Sequence, residues 1–121
     1  MKKGNILGSA WGYGAINRDF YIVTAVSAKG RVKVAGISKE KVKTADIEDG
    51  EVNNLVSPRV YDYHRLGLGY ESPETGYKKV FTNSDGDNLI KISNYEYAYK
   101  IAETGDEAEA MTFTETNSYY I

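Results

Sequence analysis

DFYIVTAVS (residues 19–27), AKG (28–30) and RVKVAGI (31–37) together decide the fold. In an extended chain Phe20, Ile22, Thr24 and Val26 point one way, and Tyr21, Val23 and Ala25 the other. Both faces are apolar, which places this strand in the middle of a sheet. Residues 31–37 alternate more cleanly, Val32 and Val34 opposing Arg31 and Lys33. Between the two runs, Gly30 is free to take the positive φ that a tight turn requires. An antiparallel hairpin is therefore expected here.

Outward from this hairpin the chain reads as short strands and turns. Residues 5–9 form a first strand between Gly4 and Gly8, and 41–47 a further strand ended by the turn dipeptide Asp49-Gly50. Residues 51–56 read as a helical turn or loop ahead of Pro58. Residues 59–63 alternate Val60 and Asp62 against Tyr61 and Tyr63, and Gly67, Gly69 and Pro73 mark a loop. Residues 77–82 and 89–93 flank NSDGDN (83–88) as a second hairpin. Residues 94–102 suit either a strand with Tyr95, Tyr97 and Tyr99 on one face or a helical turn, and 111–116 a last strand. Five to seven short antiparallel strands imply an all-β class: one domain over 1–121, a small SH3-like or OB-like barrel or a sandwich. The acidic stretch 101–121 is its C-terminal strand or tail.

Composition narrows the chemistry. The 121 residues carry 15 Lys and Arg against 17 Asp and Glu, a net charge of −2, with no Cys and one His. Disulfides, thiolate zinc sites, cysteine nucleophiles and multi-histidine metal sites are thereby excluded. No apolar run reaches the roughly 18 residues of a membrane helix, and Met1-Lys2-Lys3 is followed by no hydrophobic export segment, so a cytoplasmic location is expected. Charge is uneven: residues 29–43 are basic, with Lys29, Arg31, Lys33, Lys39, Lys41 and Lys43 against Glu40 alone. Residues 101–121 hold only acidic charges. These segments either face each other or leave a basic ligand-facing strand pair.

The densest chemical stretch runs from Trp11 to Tyr21 and holds the only Trp, Tyr13, Asn17, Asp19 and two Gly. It reads either as a glycine-bent loop closing the core or as an aromatic platform with polar recognition groups. The expected ligand-binding residues are Trp11, Tyr13, Asn17, Asp19, Tyr21, Arg31 and Lys33, the last two meeting a phosphate-like group. No catalytic residue, metal or cofactor is expected. Asp85-Gly86-Asp87-Asn88 lacks EF-hand spacing and reads as a turn rather than a calcium loop. His64 beside Asp62 is weak support for a general base, because no nucleophile accompanies the pair.

Trp11-Gly12-Tyr13, then Asn17, Asp19, Phe20, Tyr21 and Val23, resemble the N-terminal pattern of a group of small uncharacterised phage and prophage proteins. Ile90-Lys91-Ile92-Ser93-Asn94-Tyr95 and Ala98 are similar to their later segment, whereas Ile101-Ala102-Glu103-Thr104-Gly105 departs from it. The resemblance implies a phage-type origin and supplies no activity. The expectation is a non-enzymatic binding module acting in the host cell, with an anti-defence role. It would sequester a small anionic, nucleotide-like ligand or block a host protein. The alternative is a nucleic-acid-binding β-barrel, and the oligomeric state is open.

Overall fold

The structure, a computed structural model, describes residues 1–12, 15–48, 51–60 and 74–118. Its strands are β1 (Ile6–Trp11), β2 (Asn17–Val26), β3 (Val32–Glu48), β4 (Glu51–Arg59), β5 (Phe81–Thr82), β6 (Asn88–Ser93), β7 (Glu96–Ala102) and β8 (Phe113–Ser118). They form one antiparallel sheet in the order β5-β6-β7-β1-β2-β3-β4-β8. The fold is all-β, with eight strands where five to seven were expected, and the sheet is not closed into a barrel.

The deciding hairpin forms as read. Val23 pairs with Val34 and Val26 with Val32, and Gly30 turns the chain at φ 79°. The ladder shifts register between Val23 and Ala25, where Thr24 bulges and its buried hydroxyl finds no partner among the described residues. Phe20 and Ile22 enter one hydrophobic cluster, with Ile6, Ala35, Ile37 and Val56. Tyr21 and Val23 enter the other, with Leu7, Val32, Val34 and Ile90. Strand β2 is thus central with two buried faces, the consequence of its two apolar sides.

Strand β3 runs 17 residues because it changes partner midway. Up to Ile37 it pairs with β2, and from Ser38 it pairs with β4. This bend folds β4 and β8 back over the first cluster. Ile16 and Thr116 then exchange two backbone hydrogen bonds of 2.8 and 3.0 Å, stitching β8 to the start of β2. At the other side of the sheet, residues 74–82 form a strap that touches both β3 and β6. Lys78 bridges Val32 on β3, while Phe81 and Thr82 pair with Leu89 and Asn88 on β6. The strap covers the second cluster with Val80. Both halves therefore curl without a continuous ladder.

Three segments differ from the sequence reading, and a fourth, 96–102, takes the strand alternative of the two it was given. Residues 51–59 are a strand, not a helical turn or loop, because the bent β3 offers them a full-length partner. Residues 96–102 are a strand between β6 and β1. Of 77–82, only Phe81 and Thr82 join the hairpin ladder, the rest lying along β3. A short helix, Gly105–Glu109, stands in the expected acidic tail. Thr104 caps it by accepting a hydrogen bond from the Glu107 amide, and Glu107 reaches back to the Glu103 amide. A Cβ on Gly105 would lie 3.0–3.1 Å from Val60, so the helix packs hard on the end of β4. The Asp49-Gly50 turn and the alternation at 61–63 lie outside the described residues.

Ile6 is fully buried in the first cluster, whereas Val42 is half exposed. Ile6→Ala should therefore cost about 2–5 kcal/mol of unfolding free energy and Val42→Ala less than about 0.5. Chemical denaturation of both variants measures the difference.

Candidate binding surfaces

Strand β1 separates the chemistry of this region by residue parity. Leu7, Ser9 and Trp11 face the second cluster, and Ile6, Gly8 and Ala10 face the first. On the Trp11 side the indole Nε1 donates to Asp19 Oδ2 at 2.6 Å, and the ring meets Tyr95 at a centroid distance of 5.6 Å. Asn17 lies directly across from Trp11 in the ladder. Gly12 has φ 142°, and a Cβ there would lie 2.3 Å from the Ala15 carbonyl oxygen, so a side chain is excluded. The structure thus brings Trp11, Asn17 and Asp19 together. Tyr13 lies outside the described residues.

Beneath this group is a buried polar lock that the sequence reading missed. Glu96 is buried at the start of β7, and its Oε2 accepts hydrogen bonds from the Ser9 hydroxyl and, at 2.8 Å, from the Tyr21 hydroxyl. Three strands are tied by one carboxylate oxygen. Tyr21, expected as a ligand contact, is buried inside with its hydroxyl engaged. Burial, then the hydrogen bond and negative charge of Glu96, push its phenol well above the ordinary 10.0.

The opposite face of the same strands is open. Gly8 pairs with Phe20 on one side and Tyr99 on the other, and Ala10 pairs with Arg18. Two small residues between large ones leave a cup of about 270 Å³, lined chiefly by Gly8, Ala10, Arg18, Phe20, Tyr99 and Phe113. Phe20 and Phe113 meet at 5.3 Å as its wall, and Tyr99 is exposed at its rim. Arg18 is held in place: its Nε donates to the Thr114 carbonyl at 2.8 Å and its guanidinium carbon lies 5.9 Å from the Phe113 centroid. Among the described residues, no hydrogen bond engages its two terminal nitrogens. This fork is the geometry that meets a carboxylate or phosphate with two bonds. Arg18 was passed over in the sequence because it stands between Asn17 and Asp19, yet alternation sends it to the other face.

The expected basic contacts lie elsewhere. Arg31 and Lys33 flank the far end of β2, a strand of 10 residues. At about 3.3 Å per residue its ends are roughly 30 Å apart, so one small ligand does not span Trp11 and Lys33. Lys33 lies 3.8 Å from Glu74 and its ammonium 4.9 Å from the Tyr77 centroid. Lys39 is at the Trp11 end, bonded at 2.6 Å to Glu115 Oε2 and 3.8 Å from Asp19. The basic run 29–43 is thus divided, and Lys39 with Glu115 shows its middle facing the acidic C-terminal segment.

The 83–88 segment is a turn organised by Asn83, whose Oδ1 accepts from the Asp85 and Asp87 amides. His64 and Asp62 lie outside the described residues. Among the described residues, no group of three His, Cys, Asp or Glu is placed to hold a metal ion. Among the same residues, no helix is long and apolar enough to cross a membrane. No family model, curated protein or solved structure matches the chain.

Tyr21→Phe tests the lock. Glu96 loses a donor, which should cost roughly 1–3 kcal/mol at neutral pH. In the wild type the folded phenol keeps its proton beyond the pH at which the unfolded one ionises. Stability should therefore fall as pH rises above about 10, by up to about 1.4 kcal/mol per pH unit, and this component should be missing from the variant. Denaturation curves between neutral and strongly alkaline pH, run on both proteins, measure it.

Proposed function

We propose that this chain is a non-enzymatic binding module of the phage accessory kind, working in the host cytoplasm as an anti-defence factor. Its ligand is a small anion bearing a ring, nucleotide-like in chemistry, and its site is the Arg18 cup. The observation that carries this reading is a guanidinium already oriented by Thr114 and Phe113 over an aromatic-walled hollow. Side-chain ordering normally subtracts from affinity, and here that ordering precedes binding. A volume of about 270 Å³ is just below the roughly 300–1,000 Å³ of sites that enclose whole ligands. The cup therefore takes one ring between Phe113 and Tyr99 and leaves the anionic remainder outside, over Arg18. The phage attribution rests on the likeness of the Trp11–Val23 segment.

The buried carboxylate supports a binding role over catalysis. Glu96 faces the other side of the sheet from the cup and is occupied by two hydroxyls. Among the described residues it is the one ionisable acid buried next to these strands, and its place is structural.

Native mass spectrometry of the protein isolated from host cells should show a retained ligand. Arg18→Gln should weaken its retention about 10- to 100-fold, as expected for a lost charge-assisted pair, with the melting temperature nearly unchanged. Gly8→Val, which pushes methyls towards Ile101 and Phe20, should exclude the ring. Undiminished retention on both variants would place the ligand outside the cup.

A further inference from the structure

We propose that the strap and the β2–β3 turn form a second surface, one that docks single-stranded nucleic acid. The strap brings residues distant in sequence beside the turn. Lys78 N donates to the Val32 carbonyl at 2.7 Å and the Val32 amide donates back to the Lys78 carbonyl at 3.0 Å, so Lys79, next along the strap, comes alongside Arg31 and Lys33. Lys29 and Arg31 are exposed at the turn itself. Among the described residues, Lys29, Arg31, Lys33 and Lys79 therefore gather at this end of the sheet with Glu74 as the acid among them, in a chain whose net charge is −2. Positive charge gathered against an opposite overall balance marks a surface for a polyanion.

Aromatic rings are interleaved with these cations. Tyr77 and Phe81 are 47% and 43% exposed, while Val80 between them packs into the core. Tyr77, Lys79 and Phe81 thus share the outward face of an extended segment, in the order ring, ammonium, ring. Lys33 lies over Tyr77 at 4.9 Å and Lys79 over Phe81 at 5.3 Å. A base that stacks on either ring displaces the ammonium sideways, to where a backbone phosphate would lie. Docking exchanges two exposed cation–π contacts for base stacking and phosphate pairing, the combination that single-strand binders use. Both rings are anchored from behind, Tyr77 by the Lys78 bridge and Phe81 by its pairing with Leu89. Asp85 and Asp87 in the adjoining turn set the limit of the surface on that side. A duplex is a poorer fit, because paired bases cannot offer their faces to the rings.

Fluorescence anisotropy with a labelled oligothymidylate of about 15 nucleotides, across salt from about 50 to 200 mM, tests the proposal. The wild-type chain should bind, and Tyr77→Ala should weaken binding at least about fivefold with an unchanged salt dependence. Phe81→Leu, which keeps apolar bulk but removes the ring face, should do the same. Lys33→Gln with Lys79→Gln should flatten the slope of log affinity against log salt by about 1.4. Arg18→Gln should bind the oligonucleotide like wild type, separating this surface from the cup. Thermal melts confirm that each variant is folded. Absence of oligonucleotide binding overturns the proposal, as does binding that none of the strap variants weakens. Capture of anionic vesicles without oligonucleotide binding overturns it in favour of a lipid surface.

Discussion

A single carboxylate oxygen, Glu96 Oε2, holds the middle of this protein. It accepts from Ser9 on β1 and from Tyr21 on β2, while its own residue opens β7. Among the described residues no cation shares the contact, so the two hydroxyls supply the polar partners that a buried acid must have. Because β1, β2 and β7 are adjacent in the sheet, this one group ties together three strands whose register their buried apolar faces also specify. The Trp11–Asp19 contact lies directly above it, and the cup lies directly behind it. Everything assigned to the Trp11 end depends on these three strands staying aligned.

The all-β class and the central hairpin were legible because residues 19–37 state their alternation without interruption and Gly30 marks the turn. The long β3 was not, since Ser38-Lys39-Glu40-Lys41 has the polarity of a loop. Those residues are strand because β4 lies alongside, a tertiary cause that local pattern does not carry. In β4 itself, Asn53, Asn54 and Pro58 are turn formers by local chemistry, and Pro58 is tolerated close to the end of the ladder. The helix carried a readable signature in Thr104-Gly105-Asp106-Glu107, but five residues give no periodicity to find.

The functional reading divides along the same line. Proximity in sequence correctly gathered Trp11, Asn17 and Asp19, which the β1–β2 turn places together. Proximity also suggested that Arg31 and Lys33 serve that group, and a straight strand carries them to the far end instead. Glu96, Tyr99 and Phe113 were invisible as site residues because they arrive from strands about 75 to 100 positions away in the chain. Lys78 and Lys79 join the turn only through the strap.

Parity in β1 has an evolutionary corollary. Its two sides answer to different demands, hydroxyl and indole on one, glycine and alanine on the other. Point substitutions that spare Ser9 and keep the strands aligned can alter one side and leave the other in place. An insertion or deletion of one residue is another matter. It would exchange the sides beyond it, turning Trp11 into the hollow and withdrawing Ser9 from Glu96, and so abolish both at once. Among natural variants of this chain, β1 should differ in letters and hold its length.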